Sequence, residues 1–243
     1  MGKTTIISEI GKNFLYTEQE LSVEENLVRA KELVRLAKES GADVVKFQIH
    51  VFRDERHKRS EARYEWIKRN ERATPLETFW KPLRTFCDEL GLSFLVTPMS
   101  KGAAIKINPL VREFKVGSAD ILDFELLDYL ISTRKPIIMS SGMSSRAQLQ
   151  RAIAHLIGKG MRFSIVHCVS LYPAPIEKLN LNTIDYLKTK YPYAPIGFSD
   201  HSLSTLAPAL AVAKGATLIE KHFTLDRGAF GPDHRCSLLP AEF

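Results

Sequence analysis

Short apolar runs alternate with longer amphipathic runs along the whole chain. Near-continuous apolar segments at 137–139 and 163–166 are typical of strands that are buried on both faces of a parallel sheet. Between such runs, apolar residues recur at helical spacing, as in the segment 22–40. Ser22 followed by Glu25 is a capping-box pattern, so we expect this helix to begin there.

This alternation predicts a parallel α/β fold. Strands are expected at 4–10, 43–48, 92–97, 113–117, 136–140, 162–168, 195–199 and 217–219. Helices are expected at 22–40, 75–90, 102–107, 124–133, 146–158, 182–190 and 204–214. Eight such units favour a single (β/α)8 TIM barrel spanning 1–243 over an open doubly wound sheet. No helix-length segment follows the last strand, so we expect the eighth helix to be missing or replaced.

Composition and charge narrow the class of protein. The chain has 44% hydrophobic and 26% charged residues, an ordinary globular composition, and a formal charge of +6 that suits anionic partners. A charged excursion at about 50–74 carries both signs of charge, so we expect a solvated segment and no nucleic-acid partner. No apolar run reaches transmembrane length, which predicts no membrane partner. Three widely spaced cysteines favour a reducing, cytoplasmic compartment.

Polar side chains follow every predicted strand, at the end where the catalytic groups of a barrel lie. Lys46 and Lys115 would point into the same cavity and repel each other unless an anion lies between them. Hydroxyl groups at Ser118, Ser140 and Ser199 would complete a cradle for a phosphate or a carboxylate. Each residue alone has an ordinary explanation, such as a strand-end lysine or a helix cap. Their joint placement at the strand ends indicates a site.

Two histidines end adjacent strands. His201 follows the seventh strand and His222 the eighth, so we expect the two imidazoles to meet as ligands of one divalent metal. We expect Mn²⁺, with Fe²⁺ or Zn²⁺ as alternatives; Mg²⁺ suits such a site less because it prefers oxygen ligands. A metal with free coordination positions can polarise a carbonyl oxygen.

Segments along almost the whole chain resemble the motifs of one enzyme family. They are Glu-Ile-Gly at 9–11 with Asn13, Gly-Ala-Asp-Val-Val-Lys-Phe-Gln at 41–48, Thr-Pro at 97–98, Lys-Val-Gly-Ser at 115–118, Ser-Ser-Gly-Met at 140–143, His-Cys-Val-Ser-Leu-Tyr-Pro at 167–173, Gly-Phe-Ser-Asp-His at 197–201, Glu-Lys-His-Phe-Thr at 220–224 and Gly-Pro-Asp-His at 231–234. Together they resemble the sialic acid synthase (N-acetylneuraminate synthase) family, including its legionaminic and pseudaminic acid relatives. The resemblance implies a transferase that forms a C–C bond between phosphoenolpyruvate and an N-acetylated amino sugar, such as N-acetylmannosamine. The products would be a nine-carbon 2-keto-3-deoxy sugar acid and phosphate.

By position, the resemblance also implies roles for the polar residues at the strand ends. The phosphoenolpyruvate-binding residues would be Lys46, Lys115, Ser118, Ser140, Ser170 and Ser199. The sugar-binding residues would be Glu9, Gln48, Tyr172 and Asp233, and the metal ligands would be His201 and His222. The catalytic candidates are Asp120, Glu220 and Glu9, with Asp120 or Glu220 handling the proton of an attacking water.

The chain departs from the family pattern at three places. Phe14 stands where the family usually has His, and Ser170 stands where sialic acid synthases often have Asn. The small C-terminal antifreeze-like domain of the family, which there reaches over the barrel of a partner, does not follow the barrel in this sequence. We expect a homo-oligomer; a separate capping chain, a truncated sequence and lost activity stay open as explanations for the missing domain. Two other functions stay open: another phosphoenolpyruvate-dependent sugar-acid synthase, and a catalytically inert barrel that binds a ligand.

Overall fold

Eight parallel strands close into a barrel in which each strand pairs with its neighbours in the chain and β8 pairs with β1. The computed structural model describes residues 3–55 and 60–243. The strands are β1 (Thr5–Gly11), β2 (Val44–Ile49), β3 (Ser93–Pro98), β4 (Phe114–Val116), β5 (Ile137–Ser140), β6 (Phe163–Cys168), β7 (Ile196–Asp200) and β8 (Leu218–His222). The predicted (β/α)8 architecture is therefore confirmed.

Helices cover the outside of the barrel. They are α1 (Val23–Glu39), α2 (Phe52–Glu55), α3 (Tyr64–Ala73), α4 (Lys81–Glu89), α5 (Lys101–Ile107), α6 (Phe124–Ser132), α7 (Arg146–Gly158), α8 (Asn182–Lys190) and α9 (Leu206–Ala213). Both α7 and α8 begin and end at the predicted residues. Within the two described ranges, no helix has the length and apolar character needed to cross a membrane.

The first helix begins as its sequence predicts. The backbone N–H of Glu25 donates to the Ser22 hydroxyl at 3.2 Å, and the Glu25 carboxylate accepts from the Ser22 backbone N–H at 2.8 Å. This reciprocal pair satisfies two donors that the first helical turn would otherwise leave unpaired. Gly41 follows the helix with a φ of +99°, a backbone conformation that favours glycine.

The helix predicted at 75–90 is interrupted near its start. Residues Leu76–Trp80 form a π-helical turn, and the α-helical part begins only at Lys81. The backbone N–H groups of Phe79 and Trp80 both donate to the Pro75 carbonyl, at 3.1 and 3.2 Å. Pro82 has no N–H and needs no carbonyl from the preceding turn, so that turn is free to widen.

The charged excursion forms α2 and α3, apart from residues 56–59, which lie outside the described residues. Arg69, on α3, is mostly buried and donates to the three carbonyls of residues 17–19 at 2.7 to 3.0 Å. Trp66, also on α3, packs edge-on against Phe230 with ring centroids 5.5 Å apart. The excursion therefore ties together two loops that follow β1 and β8.

The barrel interior is apolar at one end and polar at the other. The apolar end is a cluster of inward-facing residues that lie two or more positions before the strand ends: Ile7, Val44, Leu95, Ile138 and Val166. Because side chains alternate along a strand, the residues two positions further on face the same interior. These are Glu9, Lys46, Thr97, Ser140 and Cys168, all buried. The strand pattern thus places a polar layer above an apolar floor.

An extended segment follows β8 and packs beside it. Leu238 pairs in parallel with Phe223, and its backbone N–H donates to the His222 carbonyl at 2.8 Å. The Asn13 side chain donates to the Phe223 carbonyl at 2.8 Å, and the Phe243 ring packs on the Phe223 ring at 5.3 Å. The described residues after β8 contain no α-helix, and the replacement of the eighth helix stays a prediction.

Candidate active site

Two lysines and two glutamates alternate across the polar layer. Lys46 Nζ lies 2.7 Å from Glu9 Oε2 and 3.7 Å from Glu220 Oε1. Lys115 Nζ lies 3.7 Å from Glu220 Oε2. All four side chains are at most 5% exposed. The sequence predicts an anion between the ammonium groups of Lys46 and Lys115. In the structure, the carboxylate of Glu220 is that anion.

Charge coupling sets the ionisation of this layer. Burial raises the pKa of Glu220, but Lys115 and Lys46 outweigh burial and lower it to about 2. Burial lowers the pKa of Lys115 below its ordinary value, whereas Glu220 and Glu9 outweigh burial and raise the pKa of Lys46. Burial raises the pKa of Glu9, and the repulsion from Glu220 adds to this rise. Glu220 is thus the firmly ionised carboxylate, and Glu9 is the one closer to taking up a proton.

Serine hydroxyls border the lysines. Ser199 Oγ donates to Glu220 Oε1 at 2.9 Å, and the hydroxyls of Ser118 and Ser140 are hydrogen-bonded at 2.8 Å. A Cβ atom on Gly142 would lie 2.5 Å from both Ser118 Oγ and Ser170 Oγ. The structure therefore brings Ser118, Ser140 and Ser170 together and holds Ser199 on the carboxylate between the lysines. The absence of a side chain at Gly142 lets its backbone approach Ser118 and Ser170.

Cys168 lies among the serines near Gly142. Its Sγ is 3.5 Å from Ser118 Oγ, 3.7 Å from Ser170 Oγ and 3.8 Å from His201 Nδ1. Burial raises the pKa of the thiol, but the contact with His201 outweighs burial and lowers it to about 6. Cys168 is not among the site residues predicted from the sequence. The signal was present, because Cys168 stands two positions after the inward-facing Val166 on β6.

The two predicted metal ligands face each other. The ring centroids of His201 and His222 are 5.2 Å apart, and the Tyr172 ring lies 4.1 Å from that of His201. His201 Nδ1 is 2.8 Å from the Val169 carbonyl, so this nitrogen carries a hydrogen and the neutral form has its lone pair on the other nitrogen. Burial lowers the pKa of His201, but the contact with Cys168 outweighs burial and raises it. Burial lowers the pKa of His222 to about 3, so its imidazole is neutral, and its buried Nδ1 has no hydrogen-bond partner among the described residues.

These features fit a shared metal ion. A metal–nitrogen bond of about 2 Å puts a metal roughly 3 Å from each ring centroid, so a centroid separation of 5.2 Å accommodates one ion. A histidine ligand is usually a neutral imidazole whose second nitrogen is held by a hydrogen bond. His222 has the neutral ring, and His201 has the carbonyl partner. Among the residues that the structure describes, no group of three or more His, Cys, Asp or Glu side chains is arranged to hold a metal.

The predicted sugar-side residues surround the histidines and Glu9. Gln48 Nε2 donates to Glu9 Oε1 at 2.7 Å. The Asp233 carboxylate lies 3.8 Å from Lys12 Nζ, and although burial raises the pKa of Asp233, Lys12 and the two histidines outweigh it and lower the pKa. Lys12 was not predicted, because it follows β1 in a loop whose course the sequence pattern does not show. Lys12 places a positive charge beside Asp233, at the sugar side of the cavity.

Asp120 lies at the end of β4, in the single helical turn Ser118–Asp120, and is 2% exposed. A Cβ on Gly117 would lie 3.7 Å from Asp120 Oδ2 and 3.6 Å from Thr97 Cγ2, so these two side chains are neighbours. Lys46 Nζ donates to Thr97 Oγ1 at 3.2 Å. Asp120 therefore borders the lysine side of the cavity.

Three polar residues at the strand ends point away from the cavity. His167 packs against Phe198 and its Nε2 donates to the Leu179 carbonyl at 2.7 Å. Asp200 and Lys221 pair with each other on the outer surface of the barrel. Strand alternation explains all three positions, since each is one residue away from an inward-facing neighbour.

Comparison with known proteins gives a consistent result. The NeuB family matches residues 33–243. A protein of uncharacterised function from Methanocaldococcus jannaschii is 40% identical over 232 residues, covering 95% of this chain and 67% of the relative. The N,N'-diacetyllegionaminic acid synthase of Campylobacter jejuni is 32% identical over 256 residues, covering 100% of this chain and 74% of the relative.

A solved structure shows the same relationship. The crystal structure of the N-acetylneuraminic acid (sialic acid) synthetase of Leptospira borgpetersenii superposes with a TM-score of 0.88 at 30% identity, covering 99% of this chain and 80% of that chain. Family, curated relatives and structure agree with the resemblance drawn from the strand-end motifs. The chain therefore belongs to the NeuB family, as those motifs predict.

Proposed function

We propose that the chain condenses phosphoenolpyruvate with an N-acetylated amino sugar to form a nine-carbon 2-keto-3-deoxy sugar acid and inorganic phosphate. One observation carries the proposal. The buried ammonium groups of Lys46 and Lys115 each lie 3.7 Å from a different oxygen of Glu220, and the Ser199 hydroxyl donates to the same carboxylate. Such an arrangement suits a small ligand that carries both a carboxylate and a phosphate.

Phosphoenolpyruvate would lie against the lysines, with its phosphate near Ser118, Ser140 and Ser170. Backbone N–H groups and hydroxyls there can donate to phosphate oxygens without bringing further charge. The negative ligand would also approach Glu220. Because like charges disfavour ionisation, its arrival raises the pKa of Glu220 from about 2 and makes that carboxylate a better base.

The acceptor sugar would lie on the histidine side of the cavity. We assign His201 and His222 as the residues that hold a divalent metal, with Mn²⁺ preferred. When bound, such an ion supplies Lewis-acid polarisation of a carbonyl oxygen. Glu9, Gln48, Tyr172 and Asp233 would orient the acceptor by hydrogen bonds to its hydroxyl and amide groups.

The reaction joins two carbons and releases phosphate. C3 of the enol attacks the aldehyde carbon of the open-chain sugar, forming the C–C bond, while the aldehyde oxygen takes up a proton and becomes a hydroxyl. Water adds to the cationic C2 and loses a proton, for which Asp120, Glu9 and the activated Glu220 are the candidate acceptors. The C2–O bond to the phosphate then breaks and leaves the keto group. Fixed charges that face these developing charges lower the barrier, as does holding both substrates together.

The relatives narrow the choice of acceptor. One is named as a diacetyllegionaminic acid synthase and another as an N-acetylneuraminic acid synthetase, so we propose N-acetylmannosamine and its 2,4-diacetamido analogue as the first acceptors to test. An acceptor with a terminal phosphate is the alternative, since a human relative, 32% identical over 247 residues, is named N-acetylneuraminate-9-phosphate synthase.

A phosphate-release assay tests the proposal. Purified protein with Mn²⁺ and phosphoenolpyruvate should release phosphate only when an N-acetylated amino sugar is added. Phosphoenolpyruvate labelled with ¹⁸O at the bridging oxygen should give phosphate that retains the label, since the C2–O bond breaks. Release with arabinose 5-phosphate or erythrose 4-phosphate alone would favour the other synthases. Binding of phosphoenolpyruvate without turnover on any acceptor would favour an inert barrel.

A further inference from the structure

Directly behind the two imidazoles, on the outer surface of the barrel, lies a buried ion pair. Lys221 Nζ is 2.5 Å from Asp200 Oδ2, and the two side chains are 3% and 0% exposed. Asp200 precedes His201 in the chain, and Lys221 precedes His222. Asp200 and Lys221 are also partners in the register of β7 and β8. Because side chains alternate along strands, the ion pair points outward while the imidazoles point inward.

The pair also fixes the segment that carries His201. Lys221 Nζ donates to the carbonyls of Ser202 and Ser204, at 2.5 and 3.1 Å, so all three ammonium hydrogens have an acceptor. Asp200 accepts from the backbone N–H and the hydroxyl of Ser202, at 2.8 and 3.0 Å. One network thus holds residues 200–204 to β8, with His201 inside that segment.

Stability alone is a weak reason for these charges. The residues two positions earlier on the same outer faces are apolar: Phe198 on β7 and Ile219 on β8, both buried. A further apolar pair would fill the space without removing two charges from water, and such replacements are often neutral or stabilising. Unlike an apolar pair, the ion pair forms directional hydrogen bonds. These bonds fix the separation and rotation of two adjacent strand ends.

We propose that Asp200 and Lys221 are positioning residues that set the geometry of His201 and His222 and thereby the affinity of the site for its metal. The inference rests on the metal assignment of the proposed function. It concerns neither the substrates nor the chemical steps. Partners that orient metal ligands without touching the metal typically change metal affinity by about 10- to 100-fold when they are removed.

A metal titration tests this positioning role apart from turnover. Free Mn²⁺ is counted by electron paramagnetic resonance while it is added to the wild type, Asp200→Asn, Lys221→Met and the double variant. We expect each single variant to bind Mn²⁺ at least about 10-fold more weakly. The double variant should lose no more than the worse single variant, because the two residues act as one unit. Lys214→Met is the matched control: Lys214 pairs with Asp185 at 2.6 Å on the surface, and its loss should leave Mn²⁺ affinity unchanged.

Folding is measured on the same samples, because a buried charge left unpaired destabilises the protein. Variants that melt at lower temperature but bind Mn²⁺ with wild-type affinity while folded would overturn the inference. Lys221→Arg keeps the charge and the donors, so it should fold and retain more affinity than Lys221→Met. If the wild type bound no Mn²⁺, or bound it equally after His201→Ala, the metal assignment itself would fall, and this inference with it.

Discussion

Replacing Glu220 by glutamine tests whether the charge of this side chain, and not only its shape, matters to the site. The change keeps the shape of the side chain and removes the charge between Lys46 and Lys115. Each of the two ion pairs spans 3.7 Å, which corresponds to about 4.5 kcal/mol at an effective dielectric constant of about 20. Lys46 keeps Glu9 as a partner, whereas among the described residues Glu220 is the only carboxylate within ion-pair distance of Lys115.

The net effect is smaller than the Coulomb sum, because Glu220 itself no longer has to be desolvated. We expect Glu220→Gln to lower the free energy of unfolding by about 3 kcal/mol, the lower end for a broken buried pair. We also expect phosphoenolpyruvate to bind the variant about 10-fold more tightly, because the ligand no longer meets a like charge. Turnover should fall, since the candidate base is lost.

Urea unfolding at pH 7 measures the first quantity, and isothermal titration with phosphoenolpyruvate measures the second. Glu125→Gln is the control: its pair with Lys101 spans 3.3 Å on the surface, so its loss should change the unfolding free energy by less than about 0.5 kcal/mol. A Glu220→Gln protein that is as stable as the wild type and binds phosphoenolpyruvate more weakly would refute this reasoning.

Three other perturbations probe separate parts of the molecule. Gly142→Ala places a Cβ 2.5 Å from two serine hydroxyl oxygens, so we expect kcat/KM for phosphoenolpyruvate to fall by about 10-fold or more, whereas Gly158→Ala, with no atom within 4 Å of the new Cβ, should be neutral in the same assay. Burial lowers the pKa of His167, so the folded protein favours its neutral form, and the stability that this contributes is lost as the pH falls below about 6.5. In urea titrations, His167→Gln should therefore lose less stability than the wild type between pH 7 and pH 5. Ser22→Ala removes the cap of α1 and should lower the unfolding free energy by about 1 kcal/mol, with no change in KM.

Local sequence signals predicted much of the fold because they act over a few residues. The Ser22–Glu25 capping box, the apolar runs of β5 and β6 and the bounds of α7 and α8 each follow from neighbouring side chains. The alternation of inward and outward residues likewise explains why Glu220 and His222 lie on one face of β8 and Lys221 on the other. The π-helical turn before Lys81 was not predicted, because the role of Pro82 depends on which carbonyl the turn leaves unused.

Contacts between distant segments could not be read from the sequence. The strand-end positions predicted that Lys46 and Lys115 point into one cavity, but only the closed barrel shows Glu220 between the two ammonium groups. The same holds for Cys168, whose three polar neighbours come from segments up to 50 residues away. The packing of Arg69 on the carbonyls of residues 17–19 depends on the course of a loop that carries no periodic pattern.

A crystal soaked with Mn²⁺ and phosphoenolpyruvate, measured at the manganese absorption edge, tests the central claim most directly. The account predicts one anomalous peak bonded to the imidazoles of His201 and His222, and density for the enol phosphate between Lys46 and Lys115. A peak elsewhere, or a ligand bound away from both lysines, would contradict it.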